Sequence, residues 1–162
     1  MDGPPRTLVL LRHSKSDWSG TEPDAHRPLA KRGRRQAPGS GRWLAANLDG
    51  IDLAVVSPAA RARETWELVS AELEAPPPTR FEDRVYAASG SDLLEVVRDL
   101  PDDTRTVVLV GHNPGMEDLV EVLTSQWVSM PTSGLAVVEL PGEWSAAGRS
   151  PAVLRTSGRP PA

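Results

Sequence analysis

The chain has 162 residues, enough for one domain with a core of its own. Hydrophobic residues make up 39% and charged residues 25%, which excludes both a membrane-embedded chain and a wholly disordered one. A balance of 18 basic to 22 acidic residues argues against a general nucleic-acid binder, and the lack of cysteine excludes disulfides, thiolate metal sites and a cysteine nucleophile.

Met1–Pro5 reads as a short tail without the charged-then-apolar stretch of a signal peptide, so the cytoplasm is the expected compartment. Thr7–Leu11 predicts a buried strand running straight into Arg12-His13-Ser14-Lys15-Ser16. A helix is expected around Lys31–Leu48, kinked or split by Pro38, Gly39 and Gly41. Its Lys31-Arg32-Gly33-Arg34-Arg35 segment reads as a solvated helix face. Ile51–Val56 predicts a second strand, ending in Ser57-Pro58-Ala59-Ala60-Arg61. Ser57 is a good helix N-cap, with Pro58 in the first helical position. Ala62, Trp66, Val69 and Leu73 then share a helical face. Glu74–Thr79, with three consecutive prolines, is the strongest internal breaker.

Leu93, Leu94, Val97 and Leu100 mark a further helix. Thr106–Val110 predicts the third strand, ending in Gly111-His112-Asn113-Pro114-Gly115. Asn113 and Pro114 repeat the cap arrangement before the helical face of Met116, Leu119, Val120 and Leu123. Leu135–Leu140 predicts a fourth strand and Ala152–Arg155 a short fifth, before a tail at Gly158–Ala162. Strands alternating with helices predict a three-layer α/β/α fold with a largely parallel sheet. The expected organisation is one domain over residues 1–162, with its core at about 6–157.

Ligands of such sheets bind beyond the carboxyl ends of the strands. Three strand ends here deliver Arg12 and His13, Arg61, and His112 to that edge. Helix N-termini point their free N–H groups the same way. Two guanidiniums, two imidazoles and helix N-termini describe a pocket for a phosphoryl group. No metal set competes, because carboxylates do not flank the histidines and His26 cannot complete a three-histidine site. No cofactor is expected.

Leu10-Leu11-Arg12-His13-Ser14-Lys15-Ser16 resembles the signature of the histidine phosphatase superfamily, with its phosphoglycerate-mutase-like fold. Ser57 to Thr65 resembles the second motif of that family, and Val110-Gly111-His112-Asn113-Pro114-Gly115 the third, in the form of the SixA branch of phosphohistidine phosphatases. Asp17-Trp18, Arg27-Pro28-Leu29 and Arg32-Gly33 are also placed as in SixA-like proteins. Ser14 stands where the family usually has Gly or Ala. The resemblance implies His13 as nucleophile, Arg12 and Arg61 as clamps on the phosphoryl oxygens, and His112 as a donor to the phosphoryl group. Ser16 and the backbone N–H of Asn113 are further substrate-binding candidates. The family's acid is a carboxylate after the second helix, where Asp83 best matches. Trp18 is a candidate for the pocket mouth, and Trp43 and Trp66 for the core.

The short connection after the second strand leaves no room for a cap domain. An open pocket suits a phosphohistidine protruding from a protein domain, which is the expected partner, with neither nucleic acid nor membrane. A small-molecule phosphomonoesterase of the same fold, or a non-catalytic phosphate-binding adaptor, are the competing readings.

Overall fold

The computed structural model describes residues 4–162. The start of the expected N-terminal tail, Met1–Gly3, lies outside the described residues. In chain order the elements are β1 (Arg6–Arg12), α1 (Lys31–Asn47), β2 (Leu53–Val56), α2 (Ala60–Ser70), β3 (Thr79–Phe81), α3 (Gly90–Arg98), β4 (Thr106–Gly111), α4 (Gly115–Thr124), β5 (Leu135–Leu140) and β6 (Val153–Gly158). The six strands lie in the order β3-β2-β4-β1-β5-β6. β1, β2, β3 and β4 are mutually parallel, and β5 runs against them.

Each central strand carries a continuous apolar run because both of its faces are covered. Leu8, Leu10, Val107, Leu109, Ala136 and Val138 pack against the helices α3 and α4. The alternate residues Val9, Leu11, Val108, Val110 and Val137 pack on the other side against α1 and α2. This period of two places a helical layer on each face of the sheet. No helix among the described residues is long and apolar enough to cross a membrane.

Four details differ from the sequence reading. β3 is an additional edge strand directly after the prolines. Its Thr79-Arg80-Phe81 is largely exposed, so no apolar run announces it. α1 runs unbroken through Pro38. The proline removes one helix bond, to the carbonyl of exposed Arg34. The glycines serve close packing instead. A Cβ on Gly41 would come within 2.5 Å of the Val69 carbonyl of α2, and one on Gly39 would collide with the carbonyl of Pro161. β6 extends to Gly158, and the residues after it lie along α1. Finally, α2 and α4 begin at Ala60 and Gly115 without side-chain caps. Ser57 and Asn113 therefore lie before the helices rather than capping them.

Candidate active site

Strand register sets the site. Arg12 pairs with Gly111, Val56 with Val110, Phe81 with Val56, and Leu135 with Leu11. The carboxyl ends of β1, β2, β3 and β4 and the start of β5 are thus level, and the segments leaving them share one edge. Backbone bonds extend this order past the strands: His13 N–H donates to Gly111 O at 3.1 Å and Ser57 N–H to Val110 O at 3.0 Å.

His13 is buried at 7% exposure. Its Nδ1 lies 2.8 Å from the Ser14 carbonyl, which can only accept, so Nδ1 carries the proton. The lone pair of the neutral ring is then on Nε2. Burial, together with the neighbouring His112, Arg61 and Arg12, outweighs the Ser14 carbonyl and pushes the His13 pKa down to about 3. The ring is neutral at physiological pH.

The backbone beneath His13 is braced by small buried polar residues that sequence reasoning missed. Ser14 N–H donates to Thr65 Oγ1 at 2.9 Å, and Ser14 Oγ to Ser133 Oγ at 3.0 Å. Ser40 Oγ lies 2.7 Å from Ser133 Oγ, and the Ser133 N–H reaches the carbonyls of both Arg12 and His13. Ser133 adopts φ +61°, which lets its N–H turn toward β1. Ser14 is fully buried here, and its hydroxyl supplies one of these bonds.

His112 lies beside His13, with ring centroids 5.0 Å apart. Its Nε2 is 2.7 Å from Ser57 Oγ, and Ser57 Oγ also accepts from Ala59 N–H at 3.3 Å. The Ser57 hydroxyl both donates and accepts, so this bond holds the His112 ring in place in either tautomer, while His112 Nδ1 is buried without a protein partner. Burial and the two arginines, opposed by Asp24, lower the His112 pKa to about 4.

Arg61 is buried at 7% exposure. Its Nη1 donates to the Asp24 carbonyl at 2.8 Å and its Nη2 to Asp24 Oδ2 at 3.0 Å, while its Nε has no partner. Arg12 Nη1 and Asn113 Nδ2 both donate to the Met130 carbonyl, at 3.0 and 2.9 Å, which fixes the outer side of the edge. Ser16 is buried and pairs in an isolated bridge with Leu29, joining the two arms of the loop after β1. Arg12, His13, Arg61 and His112 are thus brought together, with Asn113 tied alongside.

Asp83 is exposed, in a one-turn segment (Asp83–Val85) that follows β3. The residue that reaches back from this segment is Tyr86, whose ring stands edge-on to His112 at 5.8 Å. Its hydroxyl donates to Asp24 Oδ2 at 2.6 Å, and this bond together with Arg61 holds the Asp24 pKa below the usual carboxylate range. Neither Asp24 nor Tyr86 was singled out by sequence. The nearest signal was the Arg27-Pro28-Leu29 segment just after Asp24. Trp18 is 58% exposed under the Arg27 guanidinium, 4.4 Å away, whereas Trp66 is buried.

The sequence profile of the histidine phosphatase superfamily (branch 1) matches residues 8–85. An uncharacterised protein of Mycobacterium tuberculosis is 36% identical over 146 residues, covering 83% of this chain and 90% of that protein. A SixA phosphohistidine phosphatase homologue of Haemophilus influenzae is 28% identical over 127 residues, covering 72% of this chain and 76% of that one. A solved structure from Nakamurella multipartitia, assigned as the phosphohistidine phosphatase SixA, superposes with a TM-score of 0.89 at 27% identity over the whole of both chains.

Proposed function

The chain belongs to the histidine phosphatase superfamily and is a phosphatase, and from that premise we propose that it removes phosphoryl groups from phosphohistidine on a protein through a covalent intermediate on His13. The single observation that carries this reading is the state of His13: neutral, its Nδ1 proton committed to the Ser14 carbonyl, its Nε2 lone pair free beside His112. In the first step Nε2 attacks phosphorus and the bond to the leaving imidazole nitrogen breaks. Arg12 and Arg61 hold the phosphoryl oxygens. Their planar, permanently charged forks suit charge spread over equatorial oxygens. His112 donates to the same oxygens. Water then attacks phosphorus, the N–P bond breaks, and inorganic phosphate leaves with His13 restored.

The acid bears on the substrate class. An alkoxide leaving group needs a proton donor at its oxygen, worth about 10²–10⁴-fold in rate. The expected donor, Asp83, is exposed, and Asp24 is held as a carboxylate by Tyr86 and Arg61. An imidazole leaving group makes a much smaller demand. A phosphohistidine substrate therefore makes the smallest demand on an acid at this site, and the short connection from β2 to α2 fits a substrate carried on a protein.

The test is a turnover panel of a phosphohistidine protein, an aryl phosphate and alkyl phosphates, with wild type, His13→Ala and Asp83→Asn. His13→Ala is expected to fall below about a hundredth of wild-type turnover while remaining folded, and an acid-labile phosphoenzyme is expected in wild type alone. Asp83→Asn is expected to leave phosphohistidine turnover unchanged. Efficient wild-type turnover of alkyl phosphates that collapses in Asp83→Asn would replace this reading with a small-molecule phosphomonoesterase.

A further inference from the structure

We propose that Asp24 is a positioning residue: it grips the outer edge of the Arg61 guanidinium so that the inner edge faces the phosphoryl group. This rests on the phosphatase reading above and adds to it a residue outside the three motifs. A guanidinium is a planar fork with five N–H donors. Asp24 takes one from each Nη, through its main-chain carbonyl at 2.8 Å and its carboxylate at 3.0 Å. Two acceptors from one residue fix both the plane and the rotation of the fork. The Nε–H is left buried and without a protein partner, as is the Nδ1 of His112. Each Nη keeps a second N–H that Asp24 does not take, and these are the donors left for an oxyanion.

Asp24 is itself held. Tyr86 donates to the same carboxylate oxygen at 2.6 Å, and the Tyr86 ring lies edge-on to His112. One carboxylate therefore links the loop after β1, the start of α2, the segment after β3 and the histidine after β4. This link sets the angle between Arg61 and His112, two donors from different strands. The carboxylate also opposes anion binding by its charge. The proposal requires the gain in orientation to exceed that repulsion.

The two effects have opposite signs, which makes the proposal measurable. The probe is orthovanadate, titrated calorimetrically, alongside kcat and KM for an aryl phosphate. Asp24→Ala is expected to weaken vanadate binding about tenfold, the scale of one lost hydrogen bond to a charged group. Asp24→Asn keeps an acceptor oxygen and is expected to recover part of the loss. Tyr86→Phe leaves Asp24 in place and is expected to show a smaller loss of the same sign. On an Arg61→Ala background, Asp24→Ala is expected to change nothing further, because its effect passes through Arg61. Tighter vanadate binding in Asp24→Ala would show that the carboxylate is a competitor rather than a support, and would overturn the proposal. So would an equal further loss on the Arg61→Ala background, the sign of a merely structural role. Failure of the phosphatase reading looks different: vanadate then binds wild type and Arg61→Ala alike.

Discussion

The histidines carry the pH dependence expected at the residue scale. His13 has a folded-state pKa of about 3 and His112 of about 4, against an ordinary value near 6.5. The unfolded chain therefore binds these protons first as the pH falls. Stability is fully present above about pH 6.5 and is lost progressively between there and about pH 3. Urea midpoints measured from pH 7 to 4.5 are expected to fall in wild type and to fall less steeply in His13→Asn. Equal slopes would mean that the His13 ring protonates as readily folded as unfolded. Arg12, His13, Arg61 and His112 were legible in the sequence because each sits at or just beyond a strand end, where the backbone alone delivers it to the edge. Asp24, Tyr86, Thr65 and Ser133 were not. Their roles come from side chains that meet across the fold, with Ser14 and Ser133 separated by 119 positions and Asp24 and Tyr86 by 62. Ser57 was recognised for the wrong reason: its hydroxyl supports His112 rather than leading a helix.

Among the elements, α1 shows how one residue type carries two messages. Glycine within a helix usually weakens it by about 1 kcal/mol relative to alanine, so replacement normally stabilises. Gly41→Ala is expected to do the reverse. Its Cβ would press on the Val69 carbonyl and the Glu72 side chain of the segment that ends α2. Overpacking of this kind costs about 1–3 kcal/mol, which exceeds the helical gain. Gly50 faces open space, and Gly50→Ala is the matched control, expected to be neutral or slightly stabilising. Chemical denaturation of the two variants decides the matter; a raised midpoint for Gly41→Ala would contradict the close approach of α1 to α2. The four long apolar strands were legible because covering both faces demands continuous hydrophobic runs. β3 was not, since an exposed three-residue edge strand needs no such run. The apparent breakers in α1 were misread because sequence does not separate a glycine that bends a helix from one that admits a neighbour.

For the whole molecule, positive charge at the sheet edge comes from two arginines and the dipoles of the following helices, and no group of three or more histidine, aspartate or glutamate side chains gathers as a metal site among the described residues. Turnover is accordingly expected to survive EDTA; an enzyme silenced by chelation and revived by added magnesium or zinc would contradict this. The strand order has a consequence for how the protein is made. β1 is synthesised first but lies in the middle of the sheet, between β4 and β5. Thr7 pairs with Thr106, about 100 residues later, a delay of roughly 5–20 s at ordinary translation rates. Throughout that interval the Thr7–Leu11 segment is an apolar strand with neither neighbour, the kind of segment that chaperones shield. His13, the proposed nucleophile, is made with β1, yet it is seated only when Gly111 and then Ser133 arrive to bond its backbone. The proposed site is thus assembled only after β4 and Ser133 are made, and chains terminated before β4 hold every residue of the first two motifs without the neighbours that place them.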